Sequence, residues 1–292
     1  MNKVTVIGSI NMDLTVTTKV MPEQGETVLG EQFATYPGGK GANQAVAAAR
    51  IGSNVRMIGA VGDDVFGKDL LNHLSSEGVE TGSIYQLSGM ATGTATIIVN
   101  DHDNRIIVAP GANHGLTPEM VYKQESLIEQ SDVLLVQLEI PIETIGAVAV
   151  LAEKHEILLI VNPAPYQKLP ETFLERASFV TPNETEARML TADDPWVEWK
   201  LITTKGKEGV SILVNGEQIT VQGYPVEPVD TTGAGDTFNG ALAAKLSAGT
   251  ELKEAVAFAN AAAALSVMKS GAQSGMPTTK QVLTFLQEQD NN

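Results

Sequence analysis

Twice in this sequence a glycine-rich turn opens a stretch of small helix-forming residues, and that repetition restricts the chain to architectures in which helices press close to a neighbouring layer. The first turn, Gly38-Gly39-Lys40-Gly41-Ala42-Asn43, runs into Gln44-Ala45-Val46-Ala47-Ala48-Ala49, whose short side chains suit close packing against a sheet. The second lies in residues 229–240, where Asp230, Thr231 and Thr232 lead into Gly233-Ala234-Gly235-Asp236. Gly233, Ala234 and Gly235 have little side chain to obstruct an anion, so backbone N–H groups and the positive end of a following helix can converge on a phosphate. Asp236 then stands beside the transferring group, where a carboxylate can accept the proton of an attacking hydroxyl. A capped turn before an ordinary core helix accounts for the same residues.

Around the first turn, Lys40 and Asn43 stand at the mouth of the helix, and Asn11 and Asp13 follow the apolar run Val4–Ile7. Amides and a carboxylate together suit a polyhydroxylated ligand, because each hydroxyl both donates and accepts. Asn and Asp also serve as ordinary caps and turn formers.

Along most of the chain, strand-length apolar runs such as Val133–Val136 and Ile157–Val161 alternate with helical stretches. This rhythm predicts an α/β fold, a mostly parallel central sheet with helices on both faces, in one domain spanning residues 1–292. Residues 13–36 and 92–110 break it. They are rich in Thr, Val and Ile, and Thr94–Asn100, the turn Asp101-His102-Asp103-Asn104 and Arg105–Ala109 form a hairpin pattern, so these segments are expected to build a small β-sheet lid. Only the tail Gln287–Asn292 reads as disordered.

Composition closes off several functions. The net charge of −16 disfavours nucleic acid and anionic membrane as partners, and no apolar run approaches a membrane span. The chain has no cysteine, which removes disulfides and thiolate chemistry, and the absence of a signal-peptide pattern makes the cytoplasm the expected location. Gly62-Asp63-Asp64-Val65-Phe66-Gly67-Lys68-Asp69 imitates a phosphate-binding P-loop, but Asp69 stands where a hydroxyl should meet Mg²⁺, so a turn into a helix is expected. Asn183-Glu184-Thr185 matches a glycosylation acceptor by accident. His73, His102, His114 and His155 have no metal spacing. Gly8-Ser9-Ile10-Asn11 lacks the glycine pattern of a dinucleotide fold.

Asn11-Met12-Asp13, Gly38–Asn43, Asn162-Pro163-Ala164-Pro165, Thr181-Pro182-Asn183-Glu184-Thr185-Glu186, Thr204-Lys205-Gly206 and Asp230–Asp236 occur in this order over nearly the whole chain. In this the sequence resembles the ribokinase-like (PfkB) sugar kinases. The resemblance implies ATP-dependent phosphorylation of a sugar, D-ribose at its primary 5-hydroxyl, with Asp236 as base and Gly233, Ala234 and Gly235 as anion hole. It implies sugar contacts from Asn11, Met12, Asp13, Gly39, Lys40, Gly41, Ala42, Asn43, Glu139 and Asp236. Nucleotide contacts are implied for Asn183, Thr204, Lys205, Gly206, Lys207, Glu208, Gly209, Gly235 and Asn260. Glu186 is implied to organise Mg²⁺ through water, although Asn183 and Glu186 also read as a capped helix start. A monovalent cation, K⁺, is implied near Asp230, Thr232, Ser266, Lys269, Gly271 and Gly275, and a homodimer through the lid.

One stretch departs from the family. Only ten residues separate Leu190 from the strand at Leu201, so a crossover helix is expected to be deleted or replaced by a short connection, unless a stretch is absent from the sequence. A kinase for another sugar or for a nucleoside, and a catalytically silent sugar-binding sensor, stay open as alternatives. The 5% aromatic content gives few stacking surfaces for a nucleoside, with Phe33 and Tyr36 the nearest candidates.

Overall fold

The computed structural model describes residues 2–100, 103–214 and 216–290. The chain begins with β1 (Lys3–Ile7), passes directly into β2 (Asn11–Thr17) and β3 (Gln32–Gly38), and turns into α1 (Lys40–Ile51). Then come β4 (Asn54–Gly62), α2 (Val65–Ser76), β5 (Val79–Leu87), and the pair β6 (Gly93–Asn100) and β7 (Asp103–Ala109). The short helices α3 (Pro118–Tyr122) and α4 (Glu125–Ile128) lead to β8 (Val133–Gln137), α5 (Ile142–Lys154), β9 (Leu158–Asn162), α6 (Glu171–Arg176) and β10 (Phe179–Val180). The last third holds α7 (Glu184–Asp193), β11 (Ile202–Thr204), β12 (Gly209–Val214), β13 (Glu217–Gln222), α8 (Ala234–Ser247), α9 (Leu252–Ser266) and α10 (Thr279–Asp290).

Six parallel strands form the central sheet in the order β10-β9-β8-β1-β4-β5. Strand β8 is buried along its whole length, as expected where helices cover both faces of a parallel sheet. On one face α1, α8 and α9 supply a core of small side chains, including Ala45, Ala48, Ala241 and Ala259. On the other, α3, α5 and α6 bury Val121, Ile145, Val148 and Phe173. The strand order reverses at β1: the chain proceeds to β4 and β5 on one side, and later to β8, β9 and β10 on the other. At such a reversal the connections leave in opposite directions and open a crevice beyond the carboxyl ends of the strands.

The lid is a four-stranded sheet, β3-β2-β6-β7, in which β2 runs parallel to β6 and antiparallel to β3. Asp101 and His102, half of the expected hairpin turn, lie outside the described residues. Phe33, Tyr36, Ile106, Ile107 and Val108 on its outer strands are exposed. The tail differs from expectation: residues up to Asp290 belong to α10, with Phe285 packed in the core, and Asn291 and Asn292 lie outside the described residues.

The expected short connection lies between α7 and β11. Strand β10 ends at Val180, so α7 is itself the crossover helix, and a 3-10 turn over Pro195–Lys200 replaces any second helix. Isolated parallel bridges, Val180 to Leu201 and Asn183 to Thr204, then attach the antiparallel ribbon β11-β12-β13 to the β10 edge of the sheet. Lys200 secures this connection. Its buried ammonium donates to the carbonyls of Leu174 (2.9 Å), Glu175 (2.5 Å) and Ala177 (2.7 Å) and lies 4.7 Å from the ring centre of Trp199. Those carbonyls sit at the negative end of α6, where a cation is favoured and an unpaired oxygen is costly. Replacing Lys200 with Met, which fills similar space, is expected to lower stability by about 2–3 kcal/mol, read as a fall in Tm; an unchanged Tm would remove Lys200 from this role.

The stretch that imitates a P-loop is an N-capped helix start. Asp64 accepts from the Gly67 N–H (2.8 Å) and from the hydroxyl and N–H of Thr92 (2.6 and 2.7 Å), which commits both of its carboxylate oxygens to capping and loop closure.

Candidate active site

The two glycine turns meet at the crevice beside β1. Ser9, just past the end of β1, donates its hydroxyl to Glu139 Oε2 (2.5 Å) and accepts from the Gly41 N–H (3.3 Å). The same Glu139 oxygen accepts from the Lys40 N–H (3.2 Å), so Glu139, which follows β8, caps α1 from the neighbouring strand. Gly39 has φ +89°, and a Cβ there would lie 2.7 Å from the Asn11 nitrogen and 2.9 Å from the Ser9 oxygen. Only glycine brings the turn this close to the backbone that carries Asn11 and Asp13. Asn113 fixes that backbone from below, accepting from the Ile10 N–H (2.9 Å) and donating to the Asn11 side-chain oxygen (2.7 Å).

Helices α1 and α8 pack with almost no gap. A Cβ on Gly240 would stand 2.5 Å from the Gln44 carbonyl oxygen and 2.6 Å from the Ala47 Cβ, so the small residues of both helices set their separation. The contact carries Asn43 and Gln44 to Asp236 in the first turn of α8. Asn43 donates to one carboxylate oxygen of Asp236 (2.9 Å) and Gln44 to the other (3.0 Å). At the start of α8 the Ala234 N–H is committed to the Thr231 carbonyl (3.3 Å), while the first-turn N–H groups of Gly235 and Asp236 have no acceptor within the helix.

Charge is concentrated here. Burial pushes the Asp236 carboxyl above its ordinary value, against the pull of Lys40 and the amides of Asn43 and Gln44. Asp13 is pushed up to about 7, first by burial and then by the negative charge of Glu139 and Asp236. Lys40 balances the group: burial opposes its charge, but Asp236, Glu139 and Glu186 hold its ammonium above the ordinary lysine value. Glu186 is also raised, by burial, against its bond from the Asn183 N–H and the attraction of Lys40.

The predicted nucleotide residues separate into those that line a cavity and those that do not. A cavity of about 460 Å³ opens between the β11–β12 connection and α8–α9. Thr204, Gly206, Lys207, Gly209, Gly235 and Asn260 line it, together with apolar Tyr224, Val226 and Val267. Lys205 lines a groove on the other side of β11, beside α7, and Glu208 lines neither. Asn183 and Glu186 form the capping box that the sequence allowed, with Asn183 accepting from the Thr185 and Glu186 N–H groups (2.9 Å each) and Glu186 from the Asn183 N–H (2.8 Å). In the expected cation loop, Asp230 accepts from the Thr232 and Gly271 N–H groups (2.9 and 2.8 Å). Gly275 packs against the Ser266 carbonyl, and Lys269 is exposed between them. Among the described residues no cluster of three or more His, Asp or Glu side chains could hold a metal ion.

Comparison with known proteins decides the lineage. A profile of the pfkB family carbohydrate kinases matches residues 1–279.

The chain belongs to the pfkB family.

Within it, the ribokinase of Bacillus subtilis (strain 168) is 46% identical, over 98% of this chain and all of that protein. Among solved structures, ribokinase from Thermotoga maritima superposes with a TM-score of 0.90 at 35% identity, covering 98% of this chain and 100% of that one. Arabidopsis thaliana ribokinase, complexed with ribose and ATP, gives 0.91 at 30% identity with 98% of both chains covered. The ribokinase-like fold expected from the sequence is therefore the fold of this pfkB kinase.

Several residues around this pfkB kinase's site were given no role by the sequence. Ser9, Gln44, Asn113, Gln137, Asn162 and Gln273 are all buried and hydrogen-bonded around the candidate sugar and base residues. The only signal for Gln44 was its place beside Asn43 in a run of alanines, where a long amide is out of keeping with a helix that packs closely.

Proposed function

We propose that this chain transfers the γ-phosphoryl group of ATP to the 5-hydroxyl of D-ribose, acting as one kinase domain over residues 1–292. The observation that carries the reading is the position of Asp236: buried but still 7% exposed, hydrogen-bonded by α1, and set between the polar group Asn11, Asp13, Lys40, Asn43 and Glu139 and the cavity lined by Gly235. Full-length similarity to ribokinases supports ribose as acceptor.

In this reading the sugar lies in the crevice between the lid and the β1–β8 switch point, with its 5-hydroxyl at Asp236. The carboxylate takes the hydroxyl proton as the bond from O5 to the γ-phosphorus forms and the bond from that phosphorus to the ADP oxygen breaks. The N–H groups of Gly235 and Asp236 and the positive end of α8 receive the charge on the phosphoryl oxygens. Lys40, held charged by three carboxylates, adds a cation at the sugar end.

The residues present fit Mg²⁺ as a companion of the nucleotide. Among the described residues no acidic cluster would hold the ion alone, but the partly buried Glu186 carboxylate, within range of Lys40, can orient its water shell. Mg²⁺ would neutralise phosphate charge there. K⁺ would belong to the loop of Asp230, Thr232, Ser266, Lys269, Gly271 and Gly275, where the Asp230 carboxylate is held by the Thr232 and Gly271 N–H groups and Gly275 packs against the Ser266 carbonyl. A homodimer would cover the exposed apolar side chains of the lid, and the cytoplasm is the compartment that supplies ATP.

The test is ADP formation with D-ribose, D-fructose and adenosine offered in parallel, with Mg²⁺ and with or without K⁺. Ribose turnover well above the others and raised by K⁺ is the expected result. Turnover with another acceptor would overturn the sugar assignment, and sugar binding without turnover would favour a sensor.

A further inference from the structure

The Asp236 carboxylate is held by two side-chain amides, and each of these is oriented by a further one. On one arm, Gln273 Nε2 donates to Asn43 Oδ1 (2.9 Å), and Asn43 Nδ2 donates to Asp236 Oδ2 (2.9 Å). On the other, Gln137 Nε2 donates to Gln44 Oε1 (2.6 Å), and Gln44 Nε2 donates to Asp236 Oδ1 (3.0 Å). All five residues are buried.

The direction of each arm follows from the chemistry of its ends. An ionised carboxylate only accepts, so Asn43 and Gln44 must both turn their NH₂ groups toward Asp236 and their oxygens away. Those oxygens then need donors, which Gln273 and Gln137 supply. Independent anchors agree with the same sense. Asn162 Nδ2 donates to the Thr181 carbonyl (3.1 Å), which can only accept, so Asn162 turns its oxygen to Gln44 and receives the second hydrogen of that NH₂ group (3.1 Å). On the Gln273 arm, the Oε1 atom lies 2.6 Å from His73 Nε2, on α2, and with the Gln273 NH₂ group spent on Asn43, His73 is the donor.

We infer that Gln273 and Gln137 are positioning residues for the phosphoryl-transfer step, acting through Asn43 and Gln44 to hold Asp236 as an oriented carboxylate. Neither is among the residues assigned to the sugar. This inference rests on the assignment of Asp236 as the base. Gln273 has a second connection, because its loop also carries Gly271, which donates to Asp230 (2.8 Å), and its own carbonyl is held by Arg50 (2.5 Å). The orientation of the base and the shape of the expected cation loop are thus set by one segment.

The decisive substitution keeps the shape and reverses the polarity. In Gln273→Glu the ionised side chain has no hydrogen for Asn43, so the Asn43 amide turns over and presents its oxygen to Asp236. Loss of one charge-assisted hydrogen bond to a carboxylate corresponds to about one unit or more in its titration and a fall of roughly 10-fold or more in the step it serves. The measurements are kcat against pH at saturating ribose and ATP, and the carboxyl ¹³C shift of Asp236 against pH, assigned by its loss in Asp236→Asn. The inference expects Gln273→Glu to lower kcat about 10-fold at pH 7, with both titrations displaced to higher pH and the ribose KM changed less than kcat. Gln273→Met, which neither donates nor repels, should give a smaller displacement in the same direction. A wild-type Asp236 titration in Gln273→Glu overturns the inference whatever happens to kcat, since a merely structural defect would lower activity without moving it. Retained turnover in Asp236→Asn overturns the base assignment instead.

Discussion

Asp236→Asn is expected to lower kcat by about 10³-fold or more while leaving the dissociation constant for ribose within a few-fold of the wild type. The amide keeps the size of the side chain but cannot take the proton from the attacking hydroxyl. Sugar recognition is spread over Asn11, Asp13, Lys40, Asn43 and Glu139, so binding survives the loss of one acceptor. The measurements are turnover by ADP release and ribose affinity by calorimetry. Near-normal turnover would remove Asp236 from the base role, and joint loss of turnover and binding would make it a sugar ligand rather than a base.

Asp13→Asn should have two effects of opposite sign. Ribose KM is expected to rise on the order of 10²-fold, because hydrogen bonds from hydroxyls to a partly buried carboxylate are each worth about 1.5–3 kcal/mol. Stability, by contrast, should rise, and only in part of the pH range. The Asp13 carboxyl titrates at about 7 in the folded protein against an ordinary value of 3.8. Below the unfolded value both states carry the proton and the residue costs nothing. As pH climbs from 3.8 to about 7 the unfolded chain releases the proton and the folded one keeps it, so stability is lost progressively, reaching a few kcal/mol above the folded value at about 1.4 kcal/mol per unit. The variant should therefore melt higher than the wild type at pH 8 and match it near pH 4. Equal melting at both values would mean that Asp13 is not held out of water beside Glu139 and Asp236. In the wild type the same titration should make kcat/KM for ribose rise with pH up to about 7, since the carboxylate is the better acceptor.

How much of this was legible in the sequence depends on whether a residue's type reveals its surroundings. The glycine turns were legible because a turn before a helix leaves a local signature, and Asp236, Asn43 and Lys40 were found with it. The parallel sheet followed from apolar runs such as Val133–Val136, and the lid from Thr94–Asn100. Gln137 and Gln273 were not legible. A glutamine at the end of a strand or in a loop looks like a surface residue, and its burial depends on packing between segments far apart in the chain. The short connection was legible as a count of residues, and the 3-10 turn over Pro195–Lys200 is that connection; what was not legible is that α7 itself serves as the crossover helix. Counting from Leu190 started inside the crossover helix, while the true edge, β10, is only two residues long. Nothing local announces that Lys200 is enclosed among backbone carbonyls rather than solvated, since lysines are usually exposed. Asn183 and Glu186 show the opposite case, in which one motif supports two readings, a capping box and a metal-organising pair, and the folded chain displays the first.

The two ligands are served by different stretches of the polypeptide. The candidate acceptor residues hang on β2, the start of α1 and the end of β8, whereas the candidate nucleotide residues hang on the start of α7, the β11–β12 ribbon, α8 and α9, and the two sets touch at the α1–α8 contact. Such a division is modular in the engineering sense. Exchanging the stretch from Asn11 to Asn43 for that of a relative with another acceptor would redesign what is phosphorylated without rebuilding the donor half, provided Ala47, just beyond that stretch and opposite Gly240, were kept.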